Sequence, residues 1–271
     1  MTFPVFQIDA FTDEVFQGNP ACVVILQNWL SNEVMLKIAR ENAVAETAFL
    51  IPFEGEYLLR WFTPDIEMDL CGHATLAAAH AILNHIEPQR RRVAFQTCSG
   101  RLKVDQTAQG YLMQLPSRPP VEAEFPLAIS EAFSHAPVKV LKARDYMLVF
   151  DSEQVIQELQ VERQIFDQVN LDPGGVIATA PGNNCDFVSR YFTPQATHLE
   201  DPVTGSAHCT LAPYWSNRLD KIELSARQLS ERGGSLTCTL DGDYVNIEGQ
   251  ATTYLQGDIY CATENAGTII C

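Results

Sequence analysis

The sequence has few basic residues and no long apolar run. Lysine and arginine together number 18, against 34 aspartates and glutamates, for a formal net charge of -16. Proteins that bind nucleic acid or an anionic membrane concentrate positive charge to meet phosphate, so both partners are disfavoured. No stretch approaches the ~20 apolar residues of a membrane-spanning helix, and Met1–Asp9 lacks the basic and apolar regions of a signal peptide. We therefore predict a cytoplasmic protein with neither partner.

Several cofactor and metal motifs are also absent. The sequence has no phosphate-binding G-x-x-x-x-G-K-[ST], no dinucleotide-binding G-x-G-x-x-G and no G-x-S-x-G nucleophile motif. Its eight cysteines form no C-x-x-C pair, and no H-E-x-x-H or zinc-ligand spacing occurs. We expect reduced thiols, no bound metal and no cofactor. If the protein is an enzyme, acid/base chemistry is the simplest class that remains.

The two halves of the sequence repeat each other, with Gly205 lying 133 residues after Gly72. In each half a strand-like run precedes a glycine and a polar residue that open an apolar helical run. The repeated segments are Arg60–Pro64 with Arg190–Pro194, and Cys71–Ala77 with Thr204–Ala212. A helix N-terminus presents unpaired backbone N–H groups and the positive end of the peptide dipole. We call each of these two helix N-termini a helix mouth. Two helix mouths that face one cleft would suit an anionic ligand.

Hydrophobic periodicity in the first half predicts strands around two different helices. Ser31–Asn42 starts with a capping serine and has one apolar face, so it should lie on a surface. His73–Leu83 is apolar nearly all round. Because a helix that is apolar on every side is buried on every side, we place it inside a curved sheet.

The second half follows the same plan. Outer helices are predicted at Ser152–Leu159 and Arg163–Val169, and the inner helix begins at about Gly205. That helix should end before or near Pro213, since proline does not continue a helix without a kink.

A proline-rich segment, Pro116–Pro120, separates the halves and is a poor central strand because it lacks three backbone donors. We interpret it as the linker between lobes 1–117 and 118–271, with a return of the C-terminal end to the first lobe left open. The predicted fold class is α+β, with two pseudo-symmetric lobes, each a curved barrel-like sheet around a central helix.

Three polar residues near the helix mouths are candidates for function, and each has a structural alternative. Asp201 precedes the second mouth and could simply cap its helix, although the matching mouth in the first half favours a ligand site. Glu46 lies in the apolar segment Ala43–Ile51, where a carboxyl suits proton exchange, but a solvent-facing glutamate at a strand edge fits equally. His73 starts the first inner helix and would be neutral there, able to donate and accept hydrogen bonds, or it is a satisfied core histidine.

Taken together, segments along nearly the whole chain resemble the PhzF-like family, the phenazine-biosynthesis isomerase and its relatives with the diaminopimelate-epimerase-like fold. Their order and spacing carry the resemblance more than any single motif does. The segments are Phe6–Thr12, Gln17–Ala21, Glu46–Phe49, Phe62–Pro64, Cys71–Thr75, Asp186–Arg190 and Glu200–His208.

The resemblance implies two lobes with the active site between them, in a cofactor-free homodimer. The family's acid/base glutamate corresponds to Glu46, and its polar partners correspond to His73 and Asp201. Substrate-binding residues at the two helix mouths correspond to Gly72, Ala74, Gly205 and Ser206.

One departure from the epimerases of this fold bears on mechanism. Those enzymes resemble this chain at Cys71, but they have a second cysteine where this chain has Thr204, whose hydroxyl is too weak an acid to match it. The leading hypothesis is an isomerase in which Glu46 moves a proton between carbons of a small unsaturated carboxylate. The alternatives are an epimerase that uses Cys71 and a metabolite-binding protein without turnover.

Overall fold

The computed structural model describes residues 1–171 and 174–261, and the chain divides into two compact units. The first unit contains strands β1 (Thr2–Ala10), β2 (Asn19–Ile25), β3 (Glu46–Phe53), β4 (Glu56–Phe62), β5 (Glu67–Met68), β6 (Arg92–Thr97), β7 (Gly100–Gln106) and β18 (Ala251–Tyr260), with helices α1 (Asn32–Asn42) and α2 (Gly72–Ala81). The second contains strands β9 (Val121–Glu122), β10 (Lys139–Lys142), β11 (Tyr146–Val149), β12 (Val176–Pro181), β13 (Phe187–Phe192), β14 (Glu200–Asp201), β15 (Glu223–Gln228) and β16 (Gly234–Asp241), with helices α3 (Leu127–Ala132), α4 (Glu153–Glu158), α5 (Arg163–Phe166) and α6 (His208–Leu219). The chain passes from one unit to the other within β8 (Tyr111–Pro116) and again within β17 (Tyr244–Gly249).

The predicted extent of the second lobe, 118–271, is wrong at its C-terminal end. The second unit spans Leu115–Ile247, and the described chain from Glu248 onward belongs to the first unit. The reason is strand pairing: β18 runs antiparallel to β1 along the whole of that strand, from Thr2 opposite Tyr260 to Ala10 opposite Ala251. The predicted linker Pro116–Pro120 does lie close to the first crossing between units.

In the first unit, α2 lies against the sheet with every one of its residues buried. It contacts β1, β2, β3 and β18, whereas α1 packs on β3 and β4. The buried face of α1 consists of Met35 and Ala39, and Ser31 caps its N-terminus by accepting a hydrogen bond from the Val34 N–H. The prediction of one surface helix and one buried helix is confirmed.

The strands of the two units pair in the same sequence of parallel and antiparallel neighbours. In the first unit, β2–β3 is parallel, β3–β4 antiparallel, β4–β6 parallel and β6–β7 antiparallel. In the second, β11–β12, β12–β13, β13–β15 and β15–β16 repeat that order. The predicted pseudo-symmetry of the two halves is therefore present in the topology.

A matching ion pair supports the repeat at the level of side chains. Arg60 Nε lies 2.6 Å from Glu67 Oε1 in the first unit, and Arg190 Nε lies 2.7 Å from Glu200 Oε1 in the second. Each pair joins two antiparallel strands at equivalent register, β4 with β5 and β13 with β14. In both units a second Nη2–Oε2 contact makes the pair bidentate.

The inner helix of the second unit is longer than predicted. A short 3-10 turn at Gly205–Ala207 leads into α6, which continues through Pro213 to Leu219. Proline at that position cannot donate to the carbonyl of Cys209, four residues earlier. The backbone N–H of Arg118 donates to that carbonyl instead, at 2.8 Å, so the linker supplies the missing hydrogen bond.

Most cysteines in the described part of the chain are free thiols, as expected, but Cys98 is disulfide-bonded, contrary to the expectation of reduced thiols. Free thiols belong to Cys22, Cys71, Cys185, Cys209 and Cys238. Among the described residues, no helix combines the length and the apolar character that crossing a membrane requires.

Candidate active site

Glu46 and His73 meet in the first unit because a strand and a helix start side by side. Glu46 is the first residue of β3, which pairs in parallel with β2 so that Ala21 lies opposite Glu46. His73 is in the first turn of α2. The His73 Nε2 and Glu46 Oε2 atoms are 2.9 Å apart, and only 3% and 13% of the two side chains are exposed. The carboxyl is thus neither at an open strand edge nor deep in the core.

The contact is close but does not have hydrogen-bond geometry. Glu46 Oε2 and His73 Nε2 are both buried, and neither has a well-directed hydrogen-bond partner among the residues that the structure describes. A buried polar atom left without a partner is costly, and such atoms concentrate where a protein performs chemistry. The pair therefore has unused capacity for a third group such as a substrate.

The other ring nitrogen of His73 is held by two neighbours. Asn19, fully buried at the start of β2, places its side-chain nitrogen Nδ2 3.1 Å from His73 Nδ1. Cys71 Sγ lies 3.5 Å from the same nitrogen. Because an amide N–H can only donate, His73 Nδ1 accepts, and the ring proton lies on Nε2, facing Glu46.

Burial and the carboxylate of Glu46 shift the pKa values of Cys71 and His73. Burial, together with the charge of Glu46, raises the pKa of the Cys71 thiol to about 11. Burial lowers the pKa of His73, while negative charge on Cys71 and Glu46 raises it, with a net upward shift. At neutral pH the Cys71 thiol is protonated, so only the Glu46 carboxylate supports the upward direction. Glu46 thus opposes the effects of burial and of the helix dipole on the pKa of His73, whereas the Asn19 donor decides which nitrogen of the neutral ring carries the proton.

The first helix mouth offers backbone donors beside this pair. Cys71 occupies the N-cap position of α2 but makes no side-chain capping hydrogen bond, and Gly72 and Ala74 in the first turn are buried. The Thr75 hydroxyl turns back to the Cys71 carbonyl at 2.5 Å, so it does not cap the helix either. N–H groups at a helix N-terminus attract an anion.

The second helix mouth is arranged around Thr204, the N-cap residue of the 3-10 turn. Its hydroxyl donates to Asp201 Oδ2 at 2.5 Å, and Gly205 and Ser206 follow it, both buried. Gln228, fully buried on β15, accepts from the Thr204 N–H at 2.8 Å and donates to the Asp201 carbonyl at 2.7 Å.

The predicted site residues thus form one group in each unit. Glu46, Gly72, His73 and Ala74 adjoin one another in the first, and Asp201, Gly205 and Ser206 adjoin one another in the second. Asn19 and Gln228 were not predicted from the sequence. The alternation of Leu224, Ala226 and Gln228 as buried positions was a signal for β15 that could have led to Gln228.

The first group also has the composition of a metal site. One ligand atom each from Glu46, Cys71 and His73 lie within 4.8 Å of one another. The sequence showed no metal-ligand spacing because these residues come from separate elements, β3 and the start of α2.

Comparison with known proteins places this architecture in a defined group. A family model described as phenazine biosynthesis-like protein matches residues 8–257. An uncharacterized isomerase of Pseudomonas aeruginosa is 43% identical over 261 residues, covering 96% of this chain and 100% of that protein. The crystal structure of a PhzF-family phenazine biosynthesis protein from Enterococcus faecalis matches with a TM-score of 0.90 and 40% identity, over 96% of this chain and 100% of that one. A hydroxyproline epimerase from Agrobacterium vitis, with a TM-score of 0.66 and 10% identity over 95% of this chain and 92% of that one, shares the fold alone.

Proposed function

Since the chain belongs to the phenazine biosynthesis-like protein family, we propose that it is an isomerase that moves a proton between two carbons of a small unsaturated carboxylate. Similar proteins named isomerases, at 43% and 41% identity, support the reaction class. The reaction needs an acid/base group and a stabiliser of negative charge, and the proposal involves no cofactor.

The observation that carries the proposal is the buried contact between Glu46 and His73, 2.9 Å apart beside the mouth of α2. In the proposed cycle the Glu46 carboxylate takes a proton from one carbon, and the electron pair delocalises into the conjugated carboxylate. Backbone N–H groups at Gly72 to Ala74 stabilise the charge that develops. The protonated Glu46 then returns the same proton to a second carbon, so the carboxylate is regenerated.

His73 and the second helix mouth have supporting roles in this proposal. The His73 Nε2–H faces the carboxylate of Glu46 and orients it for the first step. In the second unit, Asp201 positions a polar substituent of the substrate, and the backbone donors of Gly205 and Ser206 bind an anionic group.

An epimerase is the second candidate, and one observation favours it. Cys71 Sγ lies 3.5 Å from His73 Nδ1, the arrangement in which an imidazole takes a proton from a thiol. Two features count against it: the pKa of the thiol is raised to about 11, and the residue at the second mouth is Thr204 rather than a second thiol. The third candidate is a protein that binds a metabolite without turnover.

The variant Glu46→Gln tests the proposal. It keeps the shape of the side chain and removes the proton carrier, so turnover should fall by about 10² to 10⁴, the usual contribution of a general acid/base. Substrates would be found by screening small unsaturated carboxylic acids for thermal stabilisation, since a ligand at 100 times its dissociation constant adds about 2.7 kcal/mol.

Binding in the same variant provides the internal control, because the helix mouth is untouched and ligand affinity should largely persist. A variant that turns over at the wild-type rate would show that Glu46 has only a structural role.

A further inference from the structure

The Glu46, Cys71 and His73 side chains combine three ligand types that zinc takes in proteins: a carboxylate, a thiolate and an imidazole nitrogen. One ligand atom from each lies within 4.8 Å of the other two. Zinc bonds of 2.0–2.3 Å in a tetrahedral site place neighbouring ligand atoms roughly 3.5 Å apart. Glu46 lies beside Nε2 of His73 and Cys71 beside Nδ1, and one ion binds only one of these nitrogens. Closing the cluster around an ion therefore requires the imidazole ring to turn away from Asn19 so that one ring nitrogen faces both other ligands.

The burial of these side chains and their lack of well-directed hydrogen bonds favour an ion in this position. Cys71 and His73 are 6% and 2% exposed, so water competes poorly for an ion bound between them. Glu46 Oε2 and His73 Nε2 have no well-directed hydrogen-bond partner within the described chain. A thiolate in the set selects zinc and other thiophilic ions over magnesium or calcium.

We propose that Glu46, Cys71 and His73 form a three-ligand site for zinc or another thiophilic divalent ion, and that a bound ion blocks the proton transfer. The blocking role rests on the proposed function. Binding replaces the thiol proton of Cys71, which is released to solvent, and forms a metal–sulfur bond without any change in oxidation state. The Glu46 oxygen that would accept the substrate proton then coordinates the ion instead.

Cobalt(II) is the probe for binding, because a thiolate bound to cobalt gives an ultraviolet charge-transfer absorption. Chelator-treated protein should take up one cobalt per chain with that absorption, and zinc should displace it. In Cys71→Ser the absorption should vanish and the affinity should fall by at least about 100-fold, since even indirect contacts to a metal ligand are worth 10- to 100-fold.

Matched variants keep the result interpretable. Cys185→Ser removes a half-buried free thiol outside the cluster and should change neither the absorption nor the affinity. Glu46→Gln retains the shape of the side chain, so its weaker cobalt binding serves if Cys71→Ser fails to fold. Cobalt absorption that persists in Cys71→Ser, or that disappears in Cys185→Ser, would overturn the site.

The blocking role is measured separately. One equivalent of zinc should abolish turnover, and a chelator should restore it. Zinc that binds without lowering turnover would contradict the blocking role but would not contradict the metal site. Because cobalt binding is measured without substrate, normal turnover in Glu46→Gln would contradict the proposed function and leave the metal site standing.

Discussion

Asn19 controls the candidate site through one hydrogen bond. Its amide donates to His73 Nδ1 at 3.1 Å, which leaves the ring proton on Nε2, the nitrogen that faces Glu46. The side chain is buried, so the amide is held in place by its surroundings. We therefore expect Asn19 to be a positioning residue that acts on Glu46 through the imidazole.

Asn19→Asp tests this role by replacing the donor with an acceptor. Nδ1 should then carry a proton and turn a lone pair toward Glu46, so kcat should fall by up to about 10⁴-fold, the effect of a wrong histidine tautomer, with a smaller change in KM. Nitrogen NMR of the imidazole reports the Nδ1 proton directly.

Asn84→Asp is the matched control, because Asn84 Nδ2 lies 3.1 Å from the Nδ1 of a different histidine, His80. It should leave both kcat and the His73 signal unchanged. An Asn19→Asp protein whose His73 tautomer matches the wild type would contradict the assignment.

His208 makes the stability of the second unit depend on pH. Burial lowers its pKa to about 4, although the hydrogen bond between Nδ1 and the Thr204 carbonyl opposes the change. The unfolded chain has an imidazole pKa near 6.5. Below that pH the unfolded state binds a proton that the folded state does not bind until about pH 4. Stability is therefore complete above pH 6.5 and falls as the pH drops toward 4.

Between pH 7.5 and 5, the wild type should lose about 2 kcal/mol of unfolding free energy more than His208→Asn does. Urea denaturation at the two pH values measures the difference. Replacing His198, which is exposed, should leave the pH dependence unchanged. The idea fails if His208→Asn and the wild type lose stability in parallel.

Individual residues of the site were predictable to different degrees. Glu46 was conspicuous as a charge in an apolar segment, and His73 as a polar residue opening an apolar helix. Asn19 was not, because Gly18-Asn19-Pro20 resembles an ordinary turn. Its contact with a histidine 54 positions later depends on how β2 and α2 pack, and no local pattern encodes that.

At the scale of elements, the inner helix of the second unit shows where local rules are overridden. Pro213 predicts a helix end, yet α6 continues to Leu219. The carbonyl that Pro213 leaves without a donor accepts from the Arg118 N–H, which lies in a different segment. Periodicity finds such a helix, but its length depends on a tertiary hydrogen bond.

The start of this helix allows a test of the second mouth. Gly205 has no positive φ angle, so its backbone conformation does not require glycine. A close approach of the backbone to a ligand is one reason for a glycine at this position. Gly205→Val should therefore weaken carboxylate binding far more than folding, with Gly205→Ala intermediate.

Gly205 either lets the backbone approach the ligand or serves only the turn into the helix. Melting temperature and ligand affinity, measured on the same variants, distinguish these two roles. A lowered melting temperature with unchanged affinity would show that the second mouth does not bind the anion.

At the scale of the whole molecule, the internal repeat predicted the architecture better than any local pattern did. The halves share strand pairings and a bidentate arginine–glutamate pair, as their repeated segments implied. The return of β18 to β1 could not be read from the repeat, since it pairs opposite ends of the chain. The homodimer remains a prediction from family resemblance.

The two halves have diverged where chemistry is expected. The first mouth has Cys71 beside Glu46 and His73, and the second has Thr204 beside Asp201 and Gln228. A duplicated fold with unlike mouths fits a reaction in which one unit supplies the acid/base group. This asymmetry supports the proposal that Glu46 alone transfers the proton.

The most direct test follows a deuterium atom placed on the carbon that loses its proton, in the first unsaturated carboxylate found to turn over. If Glu46 transfers the proton, the label should reappear on the second carbon, on the same face of the molecule, in both the wild type and Cys71→Ser. Transfer should collapse in Glu46→Gln. Inversion at the labelled carbon with loss of the label to solvent, abolished in Cys71→Ser but not in Glu46→Gln, would contradict proton transfer by Glu46.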